Sequence, residues 1–261
     1  MRRRIRRAAA PVLVAALAAG GAACREGTVD LALQPEVGDV LRYRYEIEAT
    51  VRQALAGQDA ERSELDLVLE VTHVVQAVER EEVVVEVHVQ RPGGAPTSGE
   101  ARLDRRGGLA GVALTSSAPD DLDTAVLEQI LTVATLPDEP VAPGQRWAIE
   151  GPAVDGEGRL DRLATVDGEP VAVVDADVSH EVEETLAVSG SRVFLTGEVA
   201  ARGRTTYRID DGSIERAETT ATGSVDLTIA PPEGVTATPA TGTVRYEVSV
   251  VVTRPDGASG A

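Results

Sequence analysis

Leu41-Arg42-Tyr43-Arg44-Tyr45-Glu46-Ile47-Glu48-Ala49-Thr50-Val51-Arg52 alternates apolar and polar residues without a break. Leu41, Tyr43, Tyr45, Ile47, Ala49 and Val51 share one phase, and the charged residues and Thr50 share the other. Successive side chains on a β-strand point to opposite faces, so this stretch has one dry side and one wet side. Working outward, residues 63–78 repeat the pattern with Leu65, Leu67, Leu69 and Val71 in phase. Glu79-Arg80-Glu81 turns the chain into 82–90, where Val83, Val85, Val87 and Val89 alternate with Val84, Glu86, His88 and Gln90.

The remainder reads as further hairpins. Residues 100–105 and 109–114 flank Arg106-Gly107-Gly108, 159–166 and 170–188 flank Asp167-Gly168, and 192–209 and 214–229 flank Asp210-Asp211-Gly212. Asp-Gly between alternating runs is a strong hairpin signal, because both residues tolerate the positive φ of a tight turn. A last strand over 243–253 carries Val244, Tyr246, Val248, Val250 and Val252 in one phase. Strands joined by tight turns are antiparallel. One segment has helical spacing: Leu122, Ala125, Val126, Ile130 and Leu131 fall on one face behind the capping pair Asp120-Asp121, ending before Pro137.

These elements predict a mostly β fold, an antiparallel and strongly curved sheet of about twelve strands with one short helix. Twelve strands at ~4.8 Å spacing make an open sheet roughly 55 Å wide. A helix of ~14 residues is only about 21 Å long and cannot cover its apolar face. A half-barrel, a barrel or a sandwich is therefore expected. The valine-rich ends Val87–Ala95 and Val250–Ala258 both finish in R-P-x-G-A. Duplicated halves would explain that echo, and so would the strand-ending chemistry of Pro and Gly.

The N-terminus reads as an export signal. Arg2, Arg3, Arg4, Arg6 and Arg7 precede the apolar run Ala8 to Ala19 and the small residues Gly20-Gly21-Ala22-Ala23. The apolar run is too short to span a bilayer, which takes about 20 residues. Gly21-Ala22-Ala23-Cys24 resembles a bacterial lipobox, with Gly21 where an aliphatic residue is usual; ordinary cleavage after Ala23, leaving a free thiol, is the competing reading. Cys24 is the only cysteine among 261 residues, and it stands at the lipid-acceptor position. The expected organisation is a signal peptide over 1–23, a lipid-anchor tether over 24–28, a β-rich domain over 29–254 and a disordered tail over 255–261.

The chain carries 25 basic residues, all arginine, against 43 acidic ones, a net charge of −18. So acidic a protein is repelled by nucleic acid, and six aromatic residues (Trp147, Phe194, Tyr43, Tyr45, Tyr207 and Tyr246) are too few for base-stacking surfaces. A core of Val, Leu, Ile and Ala has to supply stability, since a lone cysteine forms no internal disulfide.

Leu136-Pro137-Asp138-Glu139-Pro140-Val141-Ala142-Pro143-Gly144-Gln145-Arg146-Trp147 reads L-P-x-x-P-V-x-x-G-x-x-W. It resembles a segment of an uncharacterised family of bacterial secreted, β-rich proteins and lipoproteins. The opening from Leu31 to Tyr43, L-x-L-x-P-x-x-G-D-x-x-x-Y, and the strand–D-D-G–strand unit around Asp211-Gly212 fit the same pattern. The resemblance implies localisation and fold but no activity. A structural role explains the Trp147 segment alone: three prolines hold an extended path, Gly144 turns, and Trp147 enters the core.

Candidate chemistry is sparse. His73 and His180 lie in apolar phases and His88 in a wet phase, and none forms H-x-H or H-E-x-x-H. Each reads as a packed or solvated histidine; a metal site would need all three strands to converge. No G-x-S-x-G nucleophile motif occurs, and Ser116-Ser117 and Ser189-Gly190-Ser191 fall in expected loops. The acidic turns Asp155-Gly156-Glu157 and Asp210-Asp211-Gly212 lack the D-x-D-x-D-G loop that wraps calcium. No catalytic residue, metal or cofactor is expected.

Two readings of function remain. The first is a non-catalytic binding or structural module of the cell envelope, attached to a membrane through the lipid on Cys24 and meeting an envelope protein partner through its surface. The second is a carrier holding a lipid or other hydrophobic ligand in a cavity enclosed by the sheet. For the anchor, Cys24→Ser is expected to move the protein from the detergent phase to the aqueous phase in a Triton X-114 partition assay; an unchanged partition would remove the lipid.

Overall fold

A computed structural model describes residues 27–114, 136–150, 154–188, 191–232 and 236–255. Cys24, the expected signal peptide, the expected helix over 122–131 and Ser116-Ser117 lie outside these residues. The described chain forms β1 (Val40–Leu55), β2 (Glu61–Val78), β3 (Glu82–Gln90), β4 (Thr97–Asp104) and β5 (Leu109–Leu114), then β6 (Arg146–Glu150), β7 (Asp155–Val166), β8 (Glu169–Val188), β9 (Ser191–Arg208), β10 (Ile214–Ala230) and β11 (Ala240–Thr253). All eleven lie in one antiparallel sheet, in the order β5-β4-β3-β2-β1-β11-β10-β9-β8-β7-β6.

Two meanders, β1–β5 and β6–β11, are thus joined along β1 and β11. Their register runs from Arg44↔Thr253 to Leu55↔Gly242. The sheet is not closed: β5 and β6 are its edges. This corrects the expectation of a barrel or a two-sheet sandwich. A sandwich would leave the long edges of β1 and β11 without partners, and pairing them satisfies those backbone groups while merging the meanders. Barrel closure would need β5 and β6 to pair, yet they are the two shortest strands, of 6 and 5 residues. Among the described residues the strand count is eleven, against about twelve expected, and no helix occurs.

Most of the predicted strands recur to within a residue or two, while β4, β7 and β11 begin three or four residues earlier than expected; β6 is the addition. Asp167 (φ 50°) and Gly168 (φ 89°) both adopt positive φ, as the two central residues of a two-residue hairpin turn should. Asp155-Gly156-Glu157, expected as a turn, is instead the start of β7 paired with Asp177–Ser179. The echoing segments end β3 and β11, which hold different places in the sheet, β3 between β2 and β4 and β11 between β1 and β10.

Residues 29–39 lace across the end of the sheet where β1 begins. Val29 bridges Val141, Leu33 N–H donates to the Arg105 carbonyl at 2.8 Å, Gln34 N–H to the Asp211 carbonyl at 2.8 Å, and Gly38 N–H to Val75 at 2.9 Å. Arg105 reciprocates, its Nη1 donating to the Leu33 carbonyl at 2.8 Å. Gly212 (φ 71°) lies under this strap, and a Cβ there would overlap the Ala32 carbonyl. At Gly168 a Cβ would meet nothing within 4 Å. Gly168→Ala should therefore cost about 1 kcal/mol of left-handed strain. Gly212→Ala should cost at least about 2–3 kcal/mol, because overlap adds to strain. Urea denaturation of both variants checks the ordering; equal losses would mean the strap does not press on this turn.

Candidate functional site

The register gathers the apolar phases of the strands onto one face. Leu69, Tyr45, Val252, Ala217, Thr205, Val174 and Leu160 are successive cross-strand neighbours from β2 to β7. All seven are buried. Toward the other end of the long strands the cover thins. Leu65 is 54% exposed and Leu186 45%; Phe194, 40% exposed, is on the other face, because its cross-strand neighbours are Thr185 and Thr228 while Leu186 pairs with Val193. Between those limits the face is floored by small residues, with Ala49, Ala221 and Ala201 in one row and Gly203 and Ala176 in the next. Tyr246 lies over Gly223 and Trp147 over Gly158, each where a Cβ would collide with the ring. Trp147 is consequently half-buried against Leu160 and its neighbours, rather than sunk in the core as its sequence suggested.

The opposite face is charged. Arg204 Nε meets Asp175 Oδ1 at 2.7 Å, Arg202 Nε meets Asp177 Oδ1 at 2.6 Å, and Arg146 Nη1 meets Glu157 Oε1 at 2.7 Å. These are exposed pairs, screened by solvent and individually weak. Their effect is to keep this face wet and to fix which side of the sheet seeks apolar contact.

At the strap end the apolar face holds a cavity of about 80 Å³, lined in part by Tyr43, Tyr45, His73, Val85, Tyr207 and Ile214. His73 stands edge-on to Tyr43, with ring centroids 5.4 Å apart at 65°. Two of the lining residues each carry a buried polar atom, His73 Nε2 and Tyr207 Oη, with no hydrogen-bond partner among the described residues. Burial pushes the phenols of Tyr43, Tyr45 and Tyr207 up, so all three stay neutral; Arg254 draws Tyr43 back slightly. The Thr205 hydroxyl also lowers Tyr207 a little, although the two do not meet hydrogen-bond geometry. Burial drives the His73 imidazole down to about 4.

The three histidines are not brought together. His73 faces the apolar side of β2, while His88 lies on the charged side of β3, its Nδ1 2.8 Å from Ser98 Oγ and its Nε2 3.4 Å from Glu86. His180 is half-buried on β8, opposite Val199 and five strands from His73. No group of three or more His, Cys, Asp or Glu residues is arranged to hold a metal ion among the described residues. In the β9–β10 turn, Asp210 binds Arg208 and Asp211 Oδ1 accepts from Ser213 N–H, so both carboxylates serve the turn itself. Sequence reasoning missed Tyr207 as a site residue. The available signal was its phase: Tyr43 and Tyr45 near the start of β1 and Tyr207 near the end of β9 all sit in the apolar phase, at one end of the antiparallel sheet.

No protein-family model matches the chain. No curated protein matches it either. Among solved structures, the crystal structure of Ail, the attachment invasion locus protein of Yersinia pestis, is similar at 8% identity over 81% of this chain and 98% of that one. The TM-score is 0.13, too low for the likeness to bear on fold or function.

The depressed imidazole makes stability depend on pH. Between the folded value of about 4 and the unfolded value near 6.5, the unfolded chain binds the extra proton, so stability rises with pH across this window and is lost as pH falls through it. Full protonation below pH 4 should cost on the order of 3 kcal/mol. In urea melts at pH 7 and pH 4.5, His73→Phe should flatten the decline seen in the unaltered protein. Identical slopes would mean that His73 is not buried as a neutral ring.

Proposed function

We propose that the protein is a non-catalytic binding module of the cell envelope, exported by residues 1–23, tethered through a lipid on Cys24, and presenting the apolar face of its sheet to a hydrophobic partner. The observation that carries this reading is the asymmetry of the sheet. One face is a ladder of ion pairs, whereas the other is apolar across seven strands and leaves Leu65 and Leu186 exposed beyond its buried rows. Exposed apolar area of this kind, rimmed by charge, marks a surface that another apolar body covers.

Curvature of the sheet belongs to the same proposal. The turns at Arg105 and Asp211 follow β4 and precede β10, five strand steps apart, which is about 24 Å in a flat sheet. The adjacent residues Leu33 and Gln34 nevertheless hydrogen-bond to both turns. Consecutive Cα atoms are only about 3.8 Å apart. A sheet rolled at the strap end reconciles these distances.

An enclosed carrier is the less favoured reading. A drug-sized or lipid-sized ligand needs about 300–1,000 Å³. The apolar cavity bounded by the described residues offers about 80 Å³. An open face does not need an enclosed volume.

The test uses the Cys24→Ser protein purified without detergent and titrated with the apolar dye 1-anilinonaphthalene-8-sulfonate. Saturable binding is expected, weakened at least fivefold by Leu65→Glu combined with Leu186→Glu at an unchanged thermal midpoint. Absent dye binding, or binding indifferent to both substitutions, would remove the face as the working surface.

A further inference from the structure

We propose that the strap-end cavity is a binding site for the uncharged hydroxyl end of an apolar ligand, held by Tyr207 Oη and His73 Nε2. The inference rests on the reading of the apolar face as a hydrophobic binding surface, and it adds the polar chemistry that the face recognises.

The warrant is a mismatch in hydrogen bonding. A buried polar atom left without a partner costs on the order of 1–3 kcal/mol, and native interiors rarely tolerate one. Here two such atoms belong to residues that line the same cavity, His73 at 8% exposure and Tyr207 at 3%. The remaining wall is chiefly apolar, with Leu41, Val75, Val83, Val85 and Leu103 among its members. An apolar pocket with a few convergent polar groups is the usual form of a small-ligand site.

The polar pair also selects the ligand's chemistry. The Tyr207 phenol stays protonated and can donate. The His73 imidazole stays neutral, so its Nε2 is a donor in one tautomer and an acceptor in the other. A hydroxyl group both donates and accepts, and so satisfies Tyr207 and either tautomer at once. Neither an ammonium nor a carboxylate finds a free counter-charge. Arg106, the one charged residue of the lining, has its guanidinium 3.1 Å from Asp138 Oδ2. Burying an unpaired ion is far more costly than burying an alcohol. The volume of about 80 Å³ limits the buried part. It would take about two or three water molecules or roughly a four-carbon alcohol. A longer ligand would lie with its chain along the small-residue floor of the face.

The test titrates 1-butanol, n-butylammonium and butyrate separately into the Cys24→Ser protein, following the His73 and Tyr207 ring resonances by NMR. Saturable shifts are expected with 1-butanol at millimolar concentration, and none with either ion. Tyr207→Phe should weaken 1-butanol at least tenfold while remaining folded, since it removes an unpartnered hydroxyl without changing the ring. No saturable shift with 1-butanol, or equal affinity in Tyr207→Phe, would assign the two polar atoms to trapped water and overturn the site. Tighter binding of butyrate would overturn the selection for an uncharged group. If these arms fail while the dye still binds the open face, only the cavity site falls; loss of both removes the underlying reading as well.

Discussion

The pairing of β1 with β11 is the constraint on which the rest of the structure depends. Each meander alone would leave one long strand with a bare edge. Joined from Arg44↔Thr253 to Leu55↔Gly242, they make one sheet in which Tyr45 meets Val252 and Ile47 meets Val250 on the same face. A slip of one residue would turn β11 over relative to β1 and put Val251, Ser249 and Glu247 on the apolar side, because the side-chain period is two. The continuity of the apolar face, its small-residue floor and the convergence of Tyr43 and Tyr207 near the cavity all follow from that one register.

The strap reinforces the arrangement from outside the ladder. It contributes few backbone hydrogen bonds, but those bonds reach turns on both meanders and the carbonyl of Val75. Leu31 and Leu33 add apolar contact, the former wholly buried against Leu160 and its neighbours and the latter packed on the core around Tyr43. The strap also lines the cavity, through Leu33 and Pro35.

Much of the sheet was legible because its strands are long and one-sided. β1, β2 and β8–β11 are strands of 14 or more residues in which alternation marks long stretches, and the Asp-Gly turns fix where the chain reverses. Strand β6 was hidden because Arg146–Glu150 offers only five residues behind a proline-rich approach, with Trp147 and Ile149 as its whole apolar phase. The union of β1 with β11 is encoded in no local signal, so the single open sheet could not be distinguished from a barrel or a sandwich. The cavity was illegible for a similar reason. His73 and Tyr207 are 134 positions apart, and the lining that unites them is drawn from separate strands and from the strap.

The register of the seam can be measured with paired cysteines in the Cys24→Ser background. Directly opposed residues in an antiparallel pair have Cα atoms about 4.5–5.5 Å apart, within reach of a disulfide. Ala49→Cys with Val248→Cys should cross-link under mild oxidation, and Thr50→Cys with Val248→Cys should not, because those side chains point to opposite faces. Cross-linking of the second pair in place of the first would mean a shifted seam, and with it an apolar face broken in two along the middle of the sheet.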